Sequence, residues 1–345
     1  MRRALVTAAA LLSLTACAGL PGTAAPGPTV TVTVTAAASP VSPPTGPARS
    51  SPPSSPTGTR SGGRAKPTPS EKYTDAARPV VAPGGRKCPD HPTPACTGLP
   101  PGTKLRKMEP NDGPAYRVRK AGTVLDGVHI TQDLLIAADN VKILNSRIDG
   151  GIMAEFDGRH YVYSVADTTI GPEKGCLTAP AVGAANYTVE RVLIRGHADG
   201  FRDSGDSIVI KDSYARLCAE PGRNYSDGLQ TYNAGRGLLL DHTTLDMRGV
   251  VAHNSPIFFN DKPDGTRDVT ITNNLVMGGN FTIQLHNIHG RLVVQNNRVV
   301  DRTWEFAPVS GDCLDTIRWA NNHIVTIDAH YRVTSIVRPL TCNGD

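Results

Sequence analysis

The sequence lacks a run of apolar residues long enough to cross a bilayer as a permanent helix. The apolar stretch Ala4 to Leu14 is too short for that; it follows Arg2 and Arg3 and precedes Leu-Thr-Ala-Cys, the layout of a secretory signal. No Cys-x-x-Cys with a matching His or Cys pair is present, which argues against a zinc site. Nowhere do apolar residues recur with a period of 3.6 over the lengths that helical repeats need, and the Leu-dense consensus of leucine-rich repeats is missing. The part able to fold also lacks a basic surplus. Residues 88–345 hold 26 Lys and Arg against 29 Asp and Glu, so nucleic acid is not an expected partner.

The positive balance of the chain belongs to residues 18–87, which carry 8 Lys and Arg against 2 Asp and Glu. This stretch is rich in Pro, Ser, Thr, Gly and Ala and cannot bury a core, so it reads as an extended, disordered tether suited to an anionic cell surface. The alternating TVTVTVT at 29–35 has no partner strand and reads as part of that tether. Leu-Thr-Ala-Cys resembles a bacterial lipobox. The resemblance implies cleavage before Cys17 and a lipid on its sulfur. On that reading residues 1–16 are the signal, residues 17–87 a lipid-anchored linker, and the membrane a partner through the lipid.

With Cys17 so assigned, six cysteines remain, an even number that suits disulfides outside the cytoplasm. Of the 15 pairings, we favour Cys88–Cys96 as a local clip and Cys313–Cys342 across the last turns, which leaves Cys176–Cys218.

From residue 123 onward one short pattern recurs: apolar, any, apolar, any, polar, two more, apolar. It reads VKILNSRI at 141–148, IVIKDSYA at 208–215, LLLDHTTL at 238–245, VTITNNLV at 269–276, LVVQNNRV at 292–299 and IRWANNHI at 317–324. Weaker copies stand at 123–130, 163–170 and 187–194, and closing residues lie 18 to 31 positions apart. Each copy has strand periodicity and is too short to fold alone. One strand of this kind per period of twenty-odd residues predicts an all-β solenoid, a single-stranded parallel β-helix of about nine coils and roughly 40 Å long. The polar position, held by Asn145, Asp167, Asp212, His242, Asn273, Asn296 and Asn321 among others, is read as structural: Asn tolerates left-handed backbone, and stacked amides can bond along the rod. Residues 88–121, with Leu105, Met108 and Tyr116, are assigned to an N-terminal cap; residues 122–345 form the coiled domain, closed by residues 325–345.

The phrases GTVLDGVHI, DNVKILNSRI, YTVERVLI, YSDGLQ, NSPIFF and VMGGNFTI resemble secreted right-handed parallel β-helix proteins of actinobacteria, within the pectate-lyase-like superfamily. The resemblance covers residues 122–300 and implies a right-handed coil. Such proteins often carry His before Ser-Asp-Gly; here Tyr225 stands there, a departure that bears on any base at that position. The Arg-rich signature of pectate lyases is absent, as are the Asp-pair and Gly-His-Gly signatures of polygalacturonases.

A second strand in each coil aligns as GFRDS at 200–204, GLQTY at 228–232, PIFFN at 256–260 and TIQLH at 282–286. Phe201, Leu229, Ile257 and Ile283 then point inward, and alternation turns their neighbours out. One outward row is Arg202, Gln230, Phe258 and Gln284; a parallel row is Ser204, Tyr232, Asn260 and His286. Rungs about 4.8 Å apart suit a sugar chain lying along the rod. Guanidinium and amides bind hydroxyls or carboxylates, and a ring stacks on a sugar face. Long loops before Leu229 and Ile257 bring Tyr225 and His253 toward this face, and His197 precedes the first Asp-Gly.

Asp199 and Asp227 each precede a glycine one coil apart. Alternation turns both inward, where a carboxylate caps backbone N–H groups. Turned outward, they would form a pair spaced as in retaining glycosidases, or one able to hold Ca²⁺. In elimination, Arg202 or Ca²⁺ would neutralise a uronate while Tyr232 or His286 moves protons; in hydrolysis Asp199 and Asp227 would be acid and nucleophile. The expected function is therefore a monomeric, cell-surface carbohydrate-active protein that binds an extended polysaccharide along the β-helix face and, if catalytic, cleaves it as a lyase or hydrolase. The alternative is a non-catalytic glycan-binding or adhesive surface lipoprotein.

Overall fold

A computed structural model describes residues 88–344 apart from 89, 157, 220, 221, 223, 224, 232–234, 252, 261–264, 315 and 316. The segments expected to be signal and tether, with Cys17, lie outside the described residues, and so does Tyr232. Among the described residues the chain is all-β, with no helix.

The recurring motif accounts for two of three long sheets. Sheet 1 holds nine strands, from Val124–Asp126 to Ile317–Ala320, and each contains the opening residues of one motif copy. The closing residues of every copy lie in sheet 2, which has eleven strands from Arg106–Met108 to Val333–Pro339. Sheet 3 holds nine strands, from Tyr116–Val118 to Ala307–Gly311. The chain visits sheets 1, 2 and 3 in turn, so neighbours within a sheet come from successive circuits. Within these three sheets pairing is parallel except where the last strand of sheet 2 turns back antiparallel on His323–Ile327; a separate short hairpin, Glu155–Phe156 with Arg159–His160, is antiparallel as well. Long parallel sheets in this cyclic order are consistent with a β-helix or solenoid.

Register explains why the motif repeats. The closing residues Ile130, Ile148, Ile170, Ile194, Ala215, Leu245, Val276, Val299 and Ile324 pair in sequence, each on the next. All nine are fully buried, in a core continuous with Phe201, Leu229, Ile257 and Ile283 of sheet 3. Between sheets 1 and 2 the fifth motif position turns the chain. Gly127, Asn145, Asp167, Arg191, Asp212, His242, Asn273, Asn296 and Asn321 all have φ between 45° and 61°. Their side chains join neighbouring circuits: Asn321 donates to Asn296 at 2.7 Å, and Arg191 to Asp167 at 2.8 Å.

A second, enclosed amide ladder stands one residue later in the motif. Asn274 Nδ2 donates to Asn297 Oδ1 at 2.9 Å, and Asn297 Nδ2 to Asn322 Oδ1 at 3.0 Å. These oxygens also accept the backbone N–H groups of Asn274 and Asn297 at 3.0 and 2.9 Å. Asn274, Asn297 and Asn322 are buried. At the bend, inward amides thus satisfy backbone donors that the sheets leave over.

Pairing begins before residue 122, because Arg106–Met108 and Tyr116–Val118, assigned above to a cap, are already strands of sheets 2 and 3. The segment before them is clipped by Cys88–Cys96 and docked by His242, whose Nε2 donates to the Asp90 carbonyl while Nδ1 bonds Asp212. Cys176–Cys218 and Cys313–Cys342 are also joined, the three pairs favoured from sequence. At the far end Tyr331 reaches back to the buried Asp246, which Arg216 and Arg248 also hold.

Replacing Asn297 by Ala strips partners from the Asn274 N–H and the Ile271 carbonyl. We expect Asn297→Ala to lower unfolding stability by about 3 kcal/mol. A loss under about 1 kcal/mol in urea denaturation would mean that the ladder carries little.

Candidate functional site

The outward row of sheet 3 has the register expected from alternation. Arg202 pairs with Gln230, Gln230 with Phe258, and Phe258 with Gln284, and all four side chains are half-buried. In the parallel row Ser204 is buried, and its N–H donates to the Ala184 carbonyl at 2.8 Å. Asn260 pairs with His286 by register; its side chain, like Tyr232, lies outside the described residues.

Asp199 and Asp227 sit at the bend from sheet 2 into sheet 3, two residues before Phe201 and Leu229. Each caps the next circuit. Asp199 Oδ1 accepts the Asp227 N–H at 3.2 Å, and Asp227 Oδ1 accepts the Ser255 N–H at 3.2 Å. Their other oxygens face the row. Arg202 Nη2 donates to Asp199 Oδ2 at 3.1 Å and to Gln230 Oε1 at 3.1 Å. Gln230 Nε2 then donates to Asp227 Oδ2 at 2.9 Å, and Asn254 Nδ2 reaches the same oxygen at 3.3 Å. The two carboxylates and the outer row therefore form one hydrogen-bonded lattice that fixes which way the Gln230 amide points.

The glycines after these aspartates are needed for space rather than for unusual backbone angles. A Cβ on Gly200 would collide with the Gly228 carbonyl oxygen, and one on Gly228 with that of Pro256. Asp-Gly here lets one circuit lie closely on the next.

Burial pushes the Asp199 carboxyl up to about 6, against the pull of Arg202. Burial, with the negative charge of Asp199 beside it, pushes Asp227 up to about 7. Asp199 is 6% exposed and Asp227 fully buried, so neither is presented to a ligand as a nucleophile would be. Both adopt the backbone-capping role, the inward one of the two read from sequence. The pair does not suit Ca²⁺: every carboxylate oxygen already accepts an N–H, Arg202 brings a competing cation, and the ion draws six to eight oxygens. Among the described residues no group of three or more His, Cys, Asp or Glu side chains is arranged to hold a metal.

The histidines part company. His197 is enclosed in the core, with Nδ1 2.8 Å from the Ala179 carbonyl and Nε2 3.3 Å from that of Gly150; burial lowers its pKa. It cannot touch a substrate and acts as a brace between circuits. His253 is half-buried and bridges to Ser226, beside the exposed Tyr225. His286 stays on the outer face. Its Nε2 lies 3.1 Å from Ser310 Oγ and its Nδ1 3.5 Å from Asp312 Oδ1.

Asn254, Ser310 and Asp312 were missed in the sequence. Extending the row by one more circuit, through APVSG at 307–311, would have found Ser310, which pairs with Gln284. A cleft of about 530 Å³ opens elsewhere on the bend, lined by Gln132, Asp133, Lys174 and the disulfide-bonded Cys176 among others; none of the catalytic or sugar-binding candidates lines it. No family model, no curated protein and no solved structure matches the chain.

Asp199 and Asp227 hold their protons more tightly folded than unfolded. Their stabilising contribution is full below the ordinary carboxylate range near 4 and is lost as pH rises through 6 and 7, at about 1.4 kcal/mol per unit of displacement. His242, held above its ordinary value by Asp212 and the Asp90 carbonyl despite burial, works in the same direction. Thermal unfolding should therefore occur at falling temperature from pH 5 to pH 8, with a shallower fall in Asp227→Asn. An unchanged slope in that variant would mean that Asp227 does not titrate in this range.

Proposed function

We propose that this chain is a cell-surface carbohydrate-binding lipoprotein, anchored through Cys17 and built on a right-handed parallel β-helix of about nine coils. It holds an extended polysaccharide along the outer face of sheet 3. The observation that carries this reading is the row Arg202, Gln230, Phe258 and Gln284, four side chains far apart in sequence that occupy successive rungs. Two amides and a guanidinium offer donors and acceptors for hydroxyls, and Phe258 offers a ring for a sugar face. The lattice behind them supports binding, because Arg202 and Gln230 are held in position before any ligand arrives. The lipobox and the three disulfides support an address outside the cytoplasm. The likeness to actinobacterial β-helix proteins supports carbohydrate as the ligand class.

The test is retention of the purified chain by a panel of neutral and uronate polysaccharides in affinity electrophoresis, with parallel assays for new reducing ends and new unsaturated ends. We expect retention by at least one polymer, weakened roughly tenfold in both Phe258→Ala and Gln284→Ala. Retention by none, or retention indifferent to both substitutions, would remove the sugar-binding face and leave an adhesive rod.

A further inference from the structure

We propose that Ser310, His286 and Asp312 are nucleophile, base and orienting carboxylate, and that they hydrolyse an acyl ester carried by the bound glycan. The chemistry stands on the three side chains; only the identity of the leaving alcohol, a sugar hydroxyl, rests on the carbohydrate reading above.

The three groups stand on two adjacent strands of sheet 3, Phe281–His286 and Ala307–Gly311, and on the residue that follows the second. Gln284 pairs with Ser310, so Ser310 extends the row Arg202, Gln230, Phe258 and Gln284 by one rung. His286 lies two residues beyond Gln284 and therefore on the same face. Its Nε2 is 3.1 Å from Ser310 Oγ, within the reach of a base for its nucleophile. Its Nδ1 is 3.5 Å from Asp312 Oδ1, a looser contact of the kind that tightens when a substrate binds.

Asp312 is itself fixed. Its N–H donates to the Leu285 carbonyl at 3.0 Å, its Oδ2 accepts the Asn287 N–H at 3.4 Å, and the next residue, Cys313, is tied to Cys342. Once that contact closes to hydrogen-bond distance, a carboxylate at Nδ1 would hold the proton on that nitrogen and leave the Nε2 lone pair facing the serine hydroxyl, the tautomer a general base needs. The His286 side chain is 31% exposed and that of Asp312 55%, so the group opens onto the face where the row would present a glycan. One rung away, Gln284 brings an amide donor to the neighbouring position of the same row.

The reaction balances with water as the second reactant. Ser310 Oγ attacks the acyl carbon while His286 Nε2 takes its proton. The carbon–oxygen bond to the sugar breaks, and the departing alkoxide receives that proton. Water, losing a proton to the same nitrogen, then attacks the acyl-serine and releases the carboxylic acid; the proton returns to Ser310. Asp312 touches no substrate and acts as a positioning residue.

The test uses the full chain, with p-nitrophenyl acetate as substrate and a fluorophosphonate as a label for activated serine. We expect one phosphonyl group on Ser310 by peptide mass mapping. Ester hydrolysis should be abolished in Ser310→Ala and His286→Ala. In Asp312→Asn, kcat should fall about a hundredfold or more, with an altered acid limb of the pH profile. A merely structural Asp312 would leave that profile unmoved. Absence of label on Ser310 in the wild-type chain, or hydrolysis that survives Ser310→Ala, overturns the proposal. Ester hydrolysis without retention by any polysaccharide supports the triad and overturns the carbohydrate reading alone.

Discussion

A left-handed residue between the first and second sheets lets each circuit repeat the one before. Eight of the nine such residues are not glycine, and each costs about 1 kcal/mol or more in backbone strain. The strain is offset locally. Side chains at the bend bond to the neighbouring circuit, and inward amides one residue later accept backbone N–H groups across it. With the bend fixed, the aliphatic files on either side fall into register, and the core is continuous from Val118 to Leu340. Every row on the outside inherits its alignment from that inner stacking.

The outer row and the carboxylates behind it illustrate a trade between stability and preorganisation. Asp199 and Asp227 are buried at a cost to their ionised forms, yet each supplies a backbone cap and an acceptor for the row. The result is a surface whose polar groups are already oriented. Ser310 continues that surface by one circuit beyond the strand of Gln284 and His286, where the disulfide to Cys342 restrains the chain just after Asp312.

Much of this was legible because strand alternation has a period of two and the motif repeats. Knowing that Phe201, Leu229, Ile257 and Ile283 face inward suffices to place Arg202, Gln230, Phe258 and Gln284 outside, and the register agrees. The left-handed position was legible from its Asn and Asp content. What alternation cannot reach is the bend from sheet 2 into sheet 3, where loop lengths vary. His197, a candidate there for touching the sugar, is enclosed. The enclosed amide ladder one residue later escaped notice because Asn-Asn doublets occupy only the last three copies of the motif. Tyr331 on Asp246 joins positions 85 residues apart with no repeat relating them, so no periodicity could disclose that contact.

The central claim is that residues far apart in sequence stack rung on rung along the outer face of sheet 3. Leu135 and Gln284 stand six rungs apart in one row, through Met153, Gly183, Arg202, Gln230 and Phe258. Double electron–electron resonance between spin labels on Leu135→Cys and Gln284→Cys, in a Cys17→Ser background, reads that separation directly. The account predicts one narrow distance near roughly 29 Å, six rungs of about 4.8 Å. A broad distribution, or a peak displaced by about 10 Å or more, equal to two rungs, would contradict it.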